Sequence, residues 1–208
     1  MRCKTLLGMV FLVAGTAMAD TVIYNNPAIA GNQSWGGSLG MDFNVTAPIS
    51  INTLGAFDSG QDGFNNGSIT VQLFDRNATG SPLATVVLTG TNGTLIGGSR
   101  FLSITPLVLN AGFQGTIVAF GYNSLEQNGN THGGSGVSTL NNLGGRISFV
   151  GGSRYANDTL YPTTIDGGPE NRYLAGTFSA SAVPEPVELS LFAVAGLSIA
   201  ALRSRRKQ

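Results

Sequence analysis

The chain has 208 residues, room for one domain of ordinary size plus targeting segments. Its 30 glycines, 11% charged and 8% aromatic residues and 42% hydrophobic residues fit neither a disordered nor a coiled-coil protein. The formal net charge of zero hides a segregation: Arg2 and Lys4 stand in front and Arg203, Arg205, Arg206 and Lys207 behind, while Asp20 to Val183 holds no lysine and only Arg76, Arg100, Arg146, Arg154 and Arg172, a mildly acidic body that excludes a nucleic-acid or anionic-lipid footprint.

Residues 1–19 read as a cleaved secretory signal peptide. Arg2 and Lys4 give the positive start, Leu6 to Ala14 the apolar stretch, and Ala17-Met18-Ala19 the small-x-small site for signal peptidase. The single cysteine, Cys3, falls inside this segment. The expected mature chain therefore has no disulfide, thiolate metal site or cysteine nucleophile.

The body, residues 20–180, shows period-2 alternation and no helical periodicity. In Ser68-Ile69-Thr70-Val71-Gln72-Leu73-Phe74 the apolar residues Ile69, Val71 and Leu73 share one face. Further predicted strands are Met41–Val45, Ile49–Phe57, Leu83–Leu88, Phe101–Ile104, Leu107–Leu109, Thr116–Tyr122, Arg146–Val150 and Tyr173–Ser179. Between them lie turn-forming clusters such as Asn66-Gly67, Asn92-Gly93 and Asp166-Gly167-Gly168-Pro169. Many short strands with regular turns predict an all-β fold, an antiparallel β-sandwich that is jelly-roll-like or Ig-like. The Gly- and Asn-rich stretch Ser124–Gly145 is expected to be a long surface loop.

Candidate chemistry in the body is sparse. His132, the only histidine, lies in Asn130-Thr-His-Gly-Gly-Ser-Gly136, which resembles an esterase oxyanion segment. A hydrolase of that kind needs a separate histidine base and a G-x-S-x-G elbow, and the sequence has neither, so His132 is expected to be a loop residue. Asp58-Ser-Gly-Gln-Asp62-Gly63 spaces oxygen ligands as calcium loops do, but Ile69 stands where a bidentate glutamate belongs. Asp58 and Asp62 are therefore weak calcium candidates, and no other cofactor is expected. A glycosidase needs two facing carboxylates; Asp42, Asp58, Asp62, Asp75, Glu126, Asp158, Asp166 and Glu170 are available, and nothing in the sequence pairs them. Trp35, Tyr122, Tyr155, Tyr161 and Tyr173 could stack on sugar rings, although a lone tryptophan in a sandwich is read first as packing. Sequons such as Asn77-Ala-Thr79 and Asn157-Asp-Thr159 are read as chance in an Asn- and Thr-rich chain.

The last segment, 181–208, changes character abruptly. Pro184-Glu185-Pro186 ends any preceding strand, Leu189 to Leu202 is almost wholly apolar, and Arg203-Ser204-Arg205-Arg206-Lys207 follows. A transmembrane helix is expected over about 187–202, short of the ~20 apolar residues of an ordinary span. The basic tail would keep the cytoplasmic side and the body the outside.

The Val183-Pro184-Glu185-Pro186 box, the short apolar helix with Gly196 near its centre and the arginine-rich end closely resemble the PEP-CTERM sorting segment of Gram-negative bacteria. Glu188, just inside the helix, departs from the small or apolar residue more usual there. The resemblance implies recognition by an exosortase-type membrane protease that cuts near the box, and delivery to the cell surface or extracellular matrix in an exopolysaccharide-secreting species. Ile51 to Phe64, Leu109 to Gly121 and Asn171 to Phe178 also look like parts of the sandwich domains that precede such segments. The leading expectation is a non-catalytic exported protein associated with exopolysaccharide or biofilm, handled by signal peptidase and an exosortase. The alternative is a carbohydrate-binding module for the exopolysaccharide, and the third reading is a carboxylate-pair hydrolase.

Overall fold

The computed structural model describes residues 19–134 and 136–184. Residues 1–18 of the expected signal peptide, among them Ala17, and segment 185–208, with Glu185, Pro186, Arg203, Arg205, Arg206, Lys207 and the expected transmembrane helix, lie outside the described residues. Among the described residues no helix is long and apolar enough to cross a membrane.

The compact unit Ala19–Val183 is all-β and antiparallel. Its strands in chain order are β1 (Thr21–Val22), β2 (Tyr24–Asn25), β3 (Leu39–Val45), β4 (Ile49–Phe57), β5 (Phe64–Asp75), β6 (Ala84–Gly90), β7 (Thr94–Ile96) and β8 (Ser99–Leu109). There follow β9 (Gln114–Phe120), β10 (Gly129–Asn130), β11 (Thr139–Leu140), β12 (Ile147–Tyr155), β13 (Thr164–Asp166), β14 (Tyr173–Leu174) and β15 (Gly176–Ala182). One sheet runs β1-β15-β4-β8-β7 and the other β13-β12-β3-β9-β5-β6; β10-β14 and β11-β2 form two small ribbons.

Period-2 alternation fills the space between the two sheets, the arrangement of a β-sandwich. Met41, Phe43 and Val45 of β3, Ile69, Val71 and Leu73 of β5 and Ile117 and Ala119 of β9 point inward from one sheet. Ile49, Ile51, Leu54 and Ala56 of β4 and Phe178 and Ala180 of β15 meet them from the other, all in one buried cluster. Burying each of the Val, Ile, Leu, Met and Phe side chains among them stabilises the fold by roughly 1.5–3 kcal/mol in transfer free energy before entropy is counted.

Bulges explain where the strand boundaries differ from expectation. The predicted strands Phe101–Ile104 and Leu107–Leu109 are one strand, β8, because Asn52 of β4 lies opposite Ile104, Thr105 and Pro106. The bulge absorbs Pro106, which has no N–H for the ladder. Asn66-Gly67 is likewise no turn: it lies within β5, between the pairings Phe64↔Gly90 and Ser68↔Thr89. Asn92-Gly93 does turn the chain between β6 and β7, with Gly93 at φ 83° and the Asn92 side chain accepting from Thr89 N.

The largest correction concerns Ser124–Gly145. Its first part is no solvated loop, since β10 pairs with β14 and Glu126, Asn128 and Asn130 are buried; from His132 to Gly145 the described residues are mostly exposed, apart from buried Ser138, with β11 paired to β2. Its asparagines supply hydrogen bonds that a ladder would otherwise make. Asn128 Nδ2 donates to Gln33 Oε1 at 2.9 Å, and Asn26 Oδ1 accepts from the Ser138 hydroxyl at 2.6 Å. A turn-like composition thus served buried side-chain bonding.

Candidate functional site

Three stretches converge on one open depression. Gln33 and Trp35 precede β3, Tyr155 ends β12, and Asp166, Arg172 and Tyr173 come from the end of β13 and the start of β14. Trp35 Nε1 donates to the Ala156 carbonyl at 3.1 Å, and its ring stands edge-on to Tyr155, with centroids 5.6 Å apart at 88°. Opposite them, Arg172 Nη1 donates to Asp166 Oδ1 at 2.7 Å and Arg172 Nε donates to Asn130 Oδ1 at 3.1 Å. The Tyr173 hydroxyl donates to Asp166 Oδ2, and the Arg172 guanidinium lies 5.3 Å from the Tyr173 ring centroid. Together these side chains line about 290 Å³.

Burial pushes the Asp166 carboxyl up, but the Tyr173 hydroxyl, the Gly168 N–H and Arg172 outweigh it and hold the carboxyl below its ordinary value. Burial first, and then the hydrogen bond and charge of Asp166, push the Tyr173 phenol up against the opposing charge of Arg172. At neutral pH the three groups are therefore an ionised carboxylate, a guanidinium and a neutral phenol. Gly168 makes room for the guanidinium: a Cβ there would sit 2.2 Å from Arg172 Nη1 and displace it.

A second cluster gathers Asp58, Asp62 and Glu126, with ligand oxygens all within 4.8 Å of one another. The structure thus adds Glu126, from the supposed loop, to the two aspartates singled out as weak calcium ligands. Asp58 is fully buried, with Arg100 Nε 2.5 Å from its Oδ2 and the Gly63 N–H on its Oδ1. A carboxylate sealed in this way is closed to substrate, and a cation bound to it would have to compete with the guanidinium.

Glu126 accepts from Ser59 N at 3.0 Å, yet burial, together with the charges of Asp58 and Asp62, raises its pKa from 4.5 to about 7. A carboxyl raised in the fold favours folding while protonated in both states, and that advantage is lost as pH rises through the folded value. Wild-type stability is expected to fall relative to Glu126→Gln between about pH 5 and pH 8. The difference should be on the order of 1–2 kcal/mol after solvent screening is discounted. Thermal melts of both proteins across that window check this; parallel curves would refute it.

Asp42 anchors a third network. It is buried under Arg154, whose Nε lies 2.7 Å from Oδ2, with Arg76 Nη1 at 3.6 Å and the Thr116 hydroxyl donating to Oδ1 at 2.6 Å. Tyr161 belongs here, 3.3 Å from Thr116 Oγ1 and edge-on to Phe74. Of the five body arginines, Arg76, Arg100, Arg154 and Arg172 each pair with an aspartate, so these sparse cations are internal staples.

The remaining sequence candidates scatter. Tyr122 is core, its hydroxyl donating to the Phe57 and Ala175 carbonyls. His132 is exposed in a short 3-10 turn, Thr131–Gly133. Asp75 and Asp158 accept from the backbone N–H groups of Asn77 and Leu160 in turns, and Glu170 is exposed. Ala19 is exposed and Pro184 half-buried. The five aromatics therefore divide: Trp35, Tyr155 and Tyr173 meet at one depression, while Tyr122 and Tyr161 do not join it. Trp35 both packs and lines, so the packing reading was half the answer. Arg172, Asp166 and Gln33 were missed as partners of these rings, since no spacing links residue 33 to 155 and 172. Comparison with protein-family models and with curated proteins finds no match.

Proposed function

We propose that this chain is the precursor of an exported, non-catalytic surface or matrix protein of a Gram-negative bacterium. Signal peptidase releases it after Ala19, and an exosortase-type membrane protease sorts it through the segment that starts at Pro184-Glu185-Pro186. Its destination is an exopolysaccharide-rich envelope or biofilm. The observation that carries the reading is the order of box, apolar stretch and basic tail directly behind the last strand.

The body's boundaries support it. The compact unit ends at Val183, whose N–H donates to the Pro48 carbonyl at 3.2 Å, and it begins at Ala19, two residues before β1. Cuts at both expected sites would leave every strand in place. Sealed carboxylates at Asp58 and Asp42 and a solitary exposed histidine favour a non-catalytic role.

Intact mass spectrometry of protein from the host envelope and medium tests the reading. The expected mass runs from Asp20 to between Pro184 and Pro186. Replacing all three of Pro184, Glu185 and Pro186 with alanine should leave the uncut form in the membrane fraction. A wild-type mass that still includes Arg203 to Gln208 means a permanent anchor and removes the sorting claim.

A further inference from the structure

We propose that the depression between Trp35, Tyr155, Asp166 and Arg172 binds one residue of a neutral saccharide. The inference stands apart from the sorting reading, because a chain that kept its C-terminal segment would keep the same site.

Sugar rings present two kinds of surface, apolar C–H faces and a fringe of hydroxyls that both donate and accept. Trp35 and Tyr155 supply the apolar wall, held perpendicular to each other by the Trp35–Ala156 hydrogen bond. The polar wall has donors to spare. Arg172 uses Nε and Nη1 within the protein, which leaves Nη2, and Gln33 uses Oε1 on Asn128, which leaves Nε2. The Tyr155 hydroxyl adds a group of either sense.

Charge decides the class of sugar. Arg172 and Asp166 lie 2.7 Å apart with side chains 13% and 15% exposed, so the wall's charges cancel. An anionic sugar attracted by Arg172 meets Asp166 beside it, and a cationic sugar drawn to Asp166 meets Arg172. A neutral polyol bonds to both without separating them. These groups are already fixed by Asn130, Gly168 and Tyr173, so little side-chain entropy is lost on binding.

Size agrees with one ring. At about 290 Å³ the depression sits at the lower edge of small-molecule sites, which run roughly 300–1,000 Å³. Because it is open, a unit within a polymer can enter as readily as a chain end.

Trp35 is the only tryptophan, so its fluorescence reports on this site alone. The full chain in a sugar-free detergent would be titrated with methyl glycosides of glucose, galactose, mannose and N-acetylglucosamine, with glucuronate and glucosamine as charged comparators. A saturable change in Trp35 emission is expected with at least one neutral glycoside, and weaker responses with the charged sugars. Gly168→Ala, which pushes Arg172 aside, and Arg172→Lys should each weaken binding roughly tenfold while keeping the fluorophore. If either variant loses the wild-type thermal transition, Tyr155→Phe replaces it. The proposal is overturned by no saturable response to any neutral glycoside, by tighter binding of a charged sugar, or by binding that the folded variants leave unchanged.

Discussion

Phe178→Ala is expected to destabilise the body by about 3–5 kcal/mol, the cost of emptying a large aromatic site in a packed core. Phe178 lies in β15, is fully buried, and reaches across to the other sheet. Its ring centroid lies 4.8 Å from that of Phe43 in β3 and 6.1 Å from that of Tyr24 in β2. Removing it therefore opens a void between sheets, where the backbone ladders on both sides resist collapse. Against a total stability of roughly 5–15 kcal/mol for an ordinary domain, the loss is a large fraction. Phe178→Leu refills most of the space and should cost less than about 1.5 kcal/mol. Phe149, half-buried at the edge of the same cluster, should cost less than Phe178 when cut to alanine. Urea unfolding of the three variants would show that order. A Phe178→Ala loss below about 1 kcal/mol would mean that the two sheets are not held through this residue.

The strands that carry this core were legible because each buries one face. Ile69, Val71 and Leu73 alternate in the sequence and are all buried in β5, and Ile49–Phe57 forms β4 with those bounds. The pattern says nothing about strand order, since the pairing of β3 with β9, from Asn44↔Gln114 to Leu39↔Ala119, leaves no local mark. Edge strands β7 and β13 were missed because they are three residues long and mostly exposed, and so lack a buried face. Within 124–145 the exposed stretch after His132 fits the surface loop expected, but the buried seam at Glu126 to Asn130 was not legible, because asparagine and glycine serve a solvated loop and a buried polar seam alike. The depression was half legible. Its aromatics were named by type, but Arg172 and Asp166 become partners only through the turn at Asn171, held at φ 48°, and the register Ser153↔Asp166. Asp58 and Asp62 were legible by spacing, and Glu126 was hidden because its approach depends on Asn123 Oδ1 turning the chain at Leu125 and Glu126.

That second cluster yields the other large expected effect. Asp58→Ala should cost about 3–5 kcal/mol, the range for breaking a buried pair from one side. The Arg100 side chain is only 10% exposed and would be left without a counterion. It could not swing out freely, because Nη1 donates to the Thr91 carbonyl and Nη2 to the Gln61 carbonyl, both at 3.2 Å. The Gly63 N–H would also lose its acceptor. Asp58→Asn keeps that acceptor and the shape, so a smaller loss is expected, about 1–3 kcal/mol. The double variant Asp58→Ala with Arg100→Met tests the cause. If the stranded charge dominates, removing it recovers part of the loss, and the double-mutant cycle shows a coupling energy well above about 0.5 kcal/mol. Simple additivity would instead assign the loss to the missing Asp58 contacts. The same substitution acts on Glu126, whose pKa Asp58 helps to raise. In Asp58→Ala the stability difference from the matching Glu126→Gln variant should shrink between pH 5 and pH 8. With the Asp58 charge gone, one of the causes that raise it, the Glu126 carboxyl moves back towards its ordinary value. A pH slope unchanged by the loss of Asp58 would leave burial and Asp62 as the origin of the Glu126 shift.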